Sequence, residues 1–262
     1  MADRAAARSD TGRIRDGNED RFLVREARGT LLLAIADGVG GVPGGEVAAD
    51  AAVVALEERF FTAPPELSIE DRMAEAIREA NTAVLRAAES SGKTSAASTL
   101  VVAAVRGDRA VIANLGDSRA YLVRDGAPRQ LTDDHSGSIA HGITRFVGDP
   151  HGVQPDIFVE DLRVGDRLVL CSDGLTRHVE PAEIASHVAA DDLGAAADAL
   201  IALANSRGGE DNVTVILYAA RQRSRVPHPA RRDFAFGIFV ALVVLVVVGA
   251  IAVLLSLAPL AP

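Results

Sequence analysis

The chain has 262 residues, 48% of them hydrophobic but only 4% aromatic, and a formal net charge of −9 at pH 7. This allows one large domain or two small ones with a core of Ala, Val, Leu and Ile, and the negative balance argues against sequence-independent nucleic-acid binding. A single cysteine, Cys171, excludes an internal disulfide and a cysteine-based zinc site; it lies in an apolar run and reads as a buried structural thiol.

The chain opens MADRAAARSD, without the apolar stretch of a signal peptide. Residues 10–26 read DTGRIRDGNEDRFLVRE, with Arg13 and Arg15 ahead of an Asn-Glu-Asp cluster and a strand starting at 22–24. Glu19 and Asp20, after that turn, have three readings: capping a helix, facing solvent, or orienting water on a metal. Residues 31–46, LLLAIADGVGGVPGGE, organise the rest. An apolar run of this length is a candidate buried strand, and it ends at Asp37 beside a turn that only small residues make.

Helices are predicted over 47–61 and 69–88, with Met73, Ile77, Ala80, Val84 and Leu85 as the inner stripe of the second. Glu46 lies in the first turn of the earlier helix, which Pro64-Pro65 ends. Strands follow at 98–105, 109–114 and 119–123, antiparallel because their connections are short. Arg124-Asp125-Gly126 signals a hairpin turn, and the polar stretch 132–148 reads as a loop over a site. Strands at 153–160 and 167–171, helices at 181–189 and 193–206, and a strand at 213–219 complete this part.

The other end differs. No charged residue occurs from 234 to 262, and five arginines (Arg221, Arg223, Arg225, Arg231, Arg232) precede that stretch. The expected division is a domain over 1–220, a basic linker over 221–233, a transmembrane helix over 234–258 and a short tail over 259–262. The positive-inside rule then places the large part on the cytoplasmic face of the inner membrane.

The apolar-run-then-acid pattern returns at 168–175, LVLCSDGL, with Asp173; in GGEDNVTVILYA, Asp211 opens a run instead. Asp-Gly is mainly a turn dipeptide, so each acid alone is unremarkable. Three at strand ends can converge on a hard divalent cation. Rival motifs fail on spacing. In GVGGVPGG, Pro43 falls where a dinucleotide loop needs its third glycine, and Ala87 stands where a phosphate loop ending Gly92-Lys93-Thr94 needs its first. The six histidines lack zinc spacing, and no G-x-S-x-G elbow occurs.

Seven segments in order carry a resemblance: RDGNED, ADGVGGVPGGEVA, STLVVA, NLGDSRAYLVRDG, ITRFVG, CSDGLT and GGEDNVTV, across roughly residues 10–219. Together they resemble the PPM family of metal-dependent serine/threonine phosphatases, the PP2C type, in its bacterial form. The resemblance implies an α+β fold: a four-layer α-β-β-α sandwich of two antiparallel sheets flanked by helices. It implies two Mn²⁺ or Mg²⁺ ions, bridged by Asp37, with the Gly38 carbonyl on the second and Asp173 and Asp211 on the first. Glu19 and Asp20 would orient metal-bound waters, and Arg15 would bind the substrate phosphate. The substrates implied are phosphoserine and phosphothreonine proteins, with a serine/threonine kinase as counterpart.

Three departures stand out. The segment between 132–135 and 143–148 is short where many members carry a longer helical flap, which bears on substrate choice. Many bacterial members bind a third metal through acids matching Asp117 and the position of Arg177. An arginine cannot be a ligand, so a weak or absent third site is expected. Val39 stands where eukaryotic members often carry a candidate general-acid histidine, which leaves the proton donor unassigned, with His135 as one guess. Two other readings stay open: a catalytically silent membrane-bound scaffold that recognises phosphoproteins, and a hydrolase of small phosphate esters.

Overall fold

A computed structural model describes residues 4–39, 44–93, 95–137 and 142–221. The chain divides into one unit over Met1–Arg221 and a second over Gln222–Pro262. The expected membrane helix at 234–258 lies outside the described residues, among which no helix is long and apolar enough to cross a membrane.

The described elements run β1 (Ala5–Asp10), β2 (Asp20–Ala27), β3 (Thr30–Asp37), α1 (Gly45–Thr62), α2 (Ile69–Ser91), β4 (Leu100–Arg106), β5 (Arg109–Leu115), β6 (Arg119–Arg124), β7 (Ala127–Gln130), β8 (Asp156–Asp161), β9 (Arg167–Cys171), α3 (Asp173–Thr176), α4 (Pro181–Val188), α5 (Leu193–Ser206) and β10 (Val213–Ala219). They build two antiparallel five-stranded sheets, ordered β1-β10-β9-β6-β7 and β2-β3-β4-β5-β8.

Strand alternation explains the four layers. On β3, Leu32, Ala34 and Ala36 face α1 and α2, while Leu33 and Ile35 face the other sheet. On β10, Val213, Val215 and Leu217 face α4 and α5, while Ile216 and Tyr218 turn inward. Strands covered on both faces have no polar side, so LLLAIA reads as an unbroken apolar run. The inner core between the sheets and the two helix–sheet cores together form the expected α-β-β-α sandwich.

Local chemistry sets the helix ends. The Ser68 side chain accepts from the Asp71 amide and opens α2, and Gly92, with φ of 68°, closes it in the left-handed region. Pro181 and a Glu180/Glu183 capping box start α4.

Several expectations need correction. β1 was not foreseen: AAARSD is a half-buried edge strand with no alternation, recognisable only by its pairing with β10. β8 begins at Asp156, not 153, because Pro155 before it has no amide to enter the ladder. The helices over 45–62 and 69–91 outrun their predicted limits. Leu85 is only half-buried, and the inner stripe of α2 instead includes Ala76 and Ala88. Asp173 follows the second apolar run as expected, and there it opens the short helix α3.

Candidate active site

The acids gather at one end of the sandwich because that is where their strands stop or start. Asp37 ends β3 and is paired in register with Asp20, the first residue of β2. The Asp37 backbone is fixed on both sides. Its carbonyl accepts from the Thr99 amide at 2.8 Å and the Ser98 hydroxyl at 2.9 Å, and its amide donates to Thr99 Oγ1 at 3.2 Å. Gly38 follows with no room for a side chain, since a Cβ there would stand 2.4 Å from the Gly45 carbonyl carbon at the start of α1.

Asp173 leaves the end of β9 as the first residue of α3, and Asp211 precedes β10. Asn212 knits the Asp211 loop to the N-terminal loop. Its Nδ2 donates to the Thr11 carbonyl at 2.8 Å and the Gly17 carbonyl at 2.9 Å, and its Oδ1 accepts from the Glu19 amide at 2.8 Å. Asp117 sits in the turn between β5 and β6. His135 holds that turn: its amide donates to the Gly116 carbonyl at 2.9 Å, and its Nδ1 accepts from the Gly116 amide at 3.1 Å.

One cavity of about 200 Å³ is lined by Arg15, Asp37, Gly38, Val39, Asp117, Ile143, Asp173, Arg177 and Asp211. Six residues singled out from sequence (Arg15, Asp37, Gly38, Asp117, Asp173, Asp211) therefore share one wall. Two others stand apart from it. Asp20 is buried, its Oδ2 accepting from Ser172 Oγ at 2.9 Å and Thr214 Oγ1 at 2.6 Å, while its Oδ1 has no partner. A Cβ on Gly45 would meet the Glu19 carboxylate at 3.1 Å, which places that acid beside the start of α1. His135, the guessed proton donor, does not line the cavity, and its Nε2 is 2.8 Å from Asp156.

Sequence reasoning missed four supporting residues. Ser172 and Thr214 under Asp20 look like ordinary strand-end residues. Asn212 shows its role only once the Asp211 loop and the N-terminal loop meet on it. Arg177, read only as a departure, is in the wall: it hydrogen-bonds Asp173 and lies 3.4 Å from Asp211 Oδ2, the oxygen that Arg15 reaches at 2.9 Å. A larger groove of about 450 Å³ runs between α1 and α2 past Val54 and Glu58, but no set of acids converges on it.

The carboxylates repel one another. Burial first, then Asp20, Asp173, Asp211 and Asp117, hold the Asp37 carboxyl well above the usual range. Burial likewise pushes Asp20 up to about 6, against the hydrogen bonds from Thr214 and Ser172. Asp117 is raised by burial and by Asp173. Cys171 is pushed up to about 12 by burial, which makes it an inert thiol.

These features test whether divalent ions fit. The donors are all oxygens, four aspartates meet only two arginines in the cavity wall, and a buried carboxylate oxygen of nearby Asp20 lacks a partner. That suits hard cations. Among the described residues no three acids, histidines or cysteines are drawn together tightly enough to hold one ion. Arg15 and Arg177 engage two of the acids instead.

A pH dependence follows. A carboxyl raised by folding binds protons more tightly in the folded state, so its contribution is favourable at low pH and lost as pH rises. For Asp20 the window runs from 3.8 to about 6, and Asp37 extends it upward. Acids lowered by folding, such as Glu183 at about 2, act in the opposite sense but below pH 4.5. The metal-free protein is expected to lose stability between pH 4.5 and 7, by an amount of order 2 kcal/mol for Asp20, and Mn²⁺ to restore more of it at pH 7 than at pH 5. Thermal melts at several pH values, with EDTA and with Mn²⁺, check this; a metal-free melting temperature that rises across the window would contradict it.

The two antiparallel sheets thus carry, at one end, a cavity lined by four aspartates and two arginines. A sequence model described as "Protein phosphatase 2C" matches residues 11–206. Serine/threonine phosphatase stp of Listeria innocua is 37% identical, across 81% of this chain and 94% of that protein. Serine/threonine protein phosphatase PstP of Mycobacterium tuberculosis is 34% identical, across 82% of this chain and 44% of that longer protein. The crystal structure of the M. tuberculosis phosphatase PstP/Ppp superposes with a TM-score of 0.75 at 32% identity, covering 84% of this chain and 99% of that one. The PstP catalytic domain in complex with two manganese ions superposes with a TM-score of 0.74 at 33% identity, covering 84% and 98%. The chain belongs to the protein phosphatase 2C family and is a metal-dependent phosphatase.

Proposed function

We propose that this protein is a serine/threonine phosphatase acting on phosphoserine and phosphothreonine proteins through a binuclear Mn²⁺ or Mg²⁺ centre. The observation that carries the proposal is the convergence of Asp37, Gly38, Asp173, Asp211 and Arg15 on one cavity. Asp37 would bridge the two ions, Asp173 and Asp211 would hold the first, and the Gly38 carbonyl would face the second. When bound, such ions supply positive charge to the phosphoryl oxygens and make a coordinated water more acidic.

The chain's own residues do the rest. The Arg15 side chain is 36% exposed, so its guanidinium can reach a phosphate from the cavity mouth and align it for in-line attack. Asp20 and Asp37 are paired in register, and because burial and mutual repulsion disfavour two charges there, the pair can hold a proton. Glu19 is held close by the hydrogen bond that its backbone amide donates to Asn212 Oδ1. Asp117 is the remaining acid for a third, weak ion, since Arg177 cannot serve as its partner ligand.

The uncharged run after residue 234 and the arginines before it support a membrane anchor with the enzyme on the cytoplasmic face. A serine/threonine kinase is the counterpart such an enzyme would oppose. The test is phosphate release by the full chain from a phosphothreonine peptide as Mn²⁺ is titrated, with EDTA as control and a sugar phosphate as competitor substrate. Turnover that requires the metal and prefers the peptide is expected. The Arg177 pairing, which engages Asp173, favours the silent scaffold as second reading; peptide binding without turnover in folded, Mn²⁺-loaded protein would establish it.

A further inference from the structure

The wall of the cavity holds a cation that the proposed chemistry does not use. Arg177 closes α3 one turn after Asp173, and its amide donates to the Asp173 carbonyl at 2.9 Å. Its guanidinium bonds Asp173 Oδ2 through Nη2 and approaches Asp211 Oδ2 to 3.4 Å through Nη1. These are the two acids assigned to the same ion in the proposal above, on which this inference rests. Arg15 Nη2 sits 2.9 Å from the same Asp211 oxygen.

A guanidinium and a divalent ion want the same lone pairs, and they repel each other. Rotation of its side chain can take Arg177 off the two oxygens, but α3 fixes its Cα, so the charge stays close to any ion bound there. An arginine does not lose that charge near neutral pH. Two opposing effects therefore meet in one residue. By pairing with both acids it holds them together before metal arrives, which favours binding. By its charge it competes with the ion, which opposes binding. The first effect is small here, because the Asp211 loop is already tied down by Asn212 and Asp173 is set by the end of β9 and the start of α3.

We infer that Arg177 is a resident counter-cation of the metal centre: it neutralises Asp173 and Asp211 in the metal-free protein and raises the divalent-ion concentration at which the site fills. The chain then responds to metal supply through a residue that is neither ligand nor catalytic group.

The test is Mn²⁺ binding by the full-length protein, followed by electron paramagnetic resonance of free Mn²⁺ and by calorimetry, for wild type, Arg177→Gln, Arg177→Ala and Arg177→Lys. The two neutral variants are expected to bind Mn²⁺ about tenfold tighter, equivalent to about 1.4 kcal/mol. The lysine variant, which keeps the charge, should stay near wild type. Melts in EDTA add a readout independent of activity: the neutral variants melt lower than wild type, and Mn²⁺ raises them more. Equal or weaker Mn²⁺ binding in folded neutral variants overturns the inference. Absence of Mn²⁺ binding in wild type and all variants alike overturns the metal centre itself, and this inference with it.

Discussion

Asp37→Asn is expected to cut phosphothreonine-peptide hydrolysis about a thousandfold, roughly 4 kcal/mol of barrier, while leaving the metal-free fold as stable as wild type or more so. Both halves come from the same surroundings. Asp37 is the acid proposed to bridge the ions, so an amide in its place removes the charge that gathers them. In the metal-free protein, however, that charge is a burden: burial and four neighbouring aspartates oppose its ionised form. Asparagine keeps the shape and the backbone bonds to Ser98 and Thr99, which do not involve the carboxylate. Kinetics at saturating Mn²⁺ and melts in EDTA read the two effects separately. Retained activity would sink the assignment of Asp37. A large loss of metal-free stability would show that the carboxylate has a structural partner instead.

The second large effect is on stability. Gly174→Ala would place a methyl 2.0 Å from the Asn212 carbonyl oxygen and 3.0 Å from its carbon. Both are backbone atoms, so no side chain can rotate away. The expected cost is about 3 kcal/mol or more, a drop of roughly 10 °C in melting temperature for a domain of this size. Gly17→Ala, where a Cβ meets nothing within 4 Å, is the control and should be close to neutral. Because Gly174 follows Asp173 and Asn212 follows Asp211, the clash also pushes apart two acids of the proposed centre. Mn²⁺ affinity should fall alongside stability. A variant that melts like wild type would mean that α3 and the Asp211 loop can separate at little cost.

The parts of this molecule that sequence reveals are those whose chemistry is local. The run LLLAIA announces β3 because helices cover one face and the second sheet covers the other. The acid closing that run points to the site because strands of a sandwich end together. β1 has neither advantage: Ala5–Asp10 is half-buried throughout and owes its conformation to β10, more than 200 residues away in register pairs such as Ala5↔Tyr218. Glu19 and Asp20 look equivalent in the string NED, yet strand register sends Asp20 into the interior and leaves its neighbour beside α1. Arg177 reads as a departure from a pattern; that it meets both Asp173 and Asp211 depends on β9 and β10 lying side by side.

The hydroxyls beneath Asp20 have a bearing on how the protein is made. Ser172 and Thr214, which contact its carboxylate, lie 152 and 194 residues further along the chain. At a synthesis rate of about 5–20 residues per second, roughly 10–40 s pass between translation of Asp20 and of Thr214. Until then the nascent polypeptide carries this acid without the full pair of hydroxyls that meets it in the folded protein. The surroundings of Asp20 are therefore complete only once β10, the last strand of the described fold, has been made.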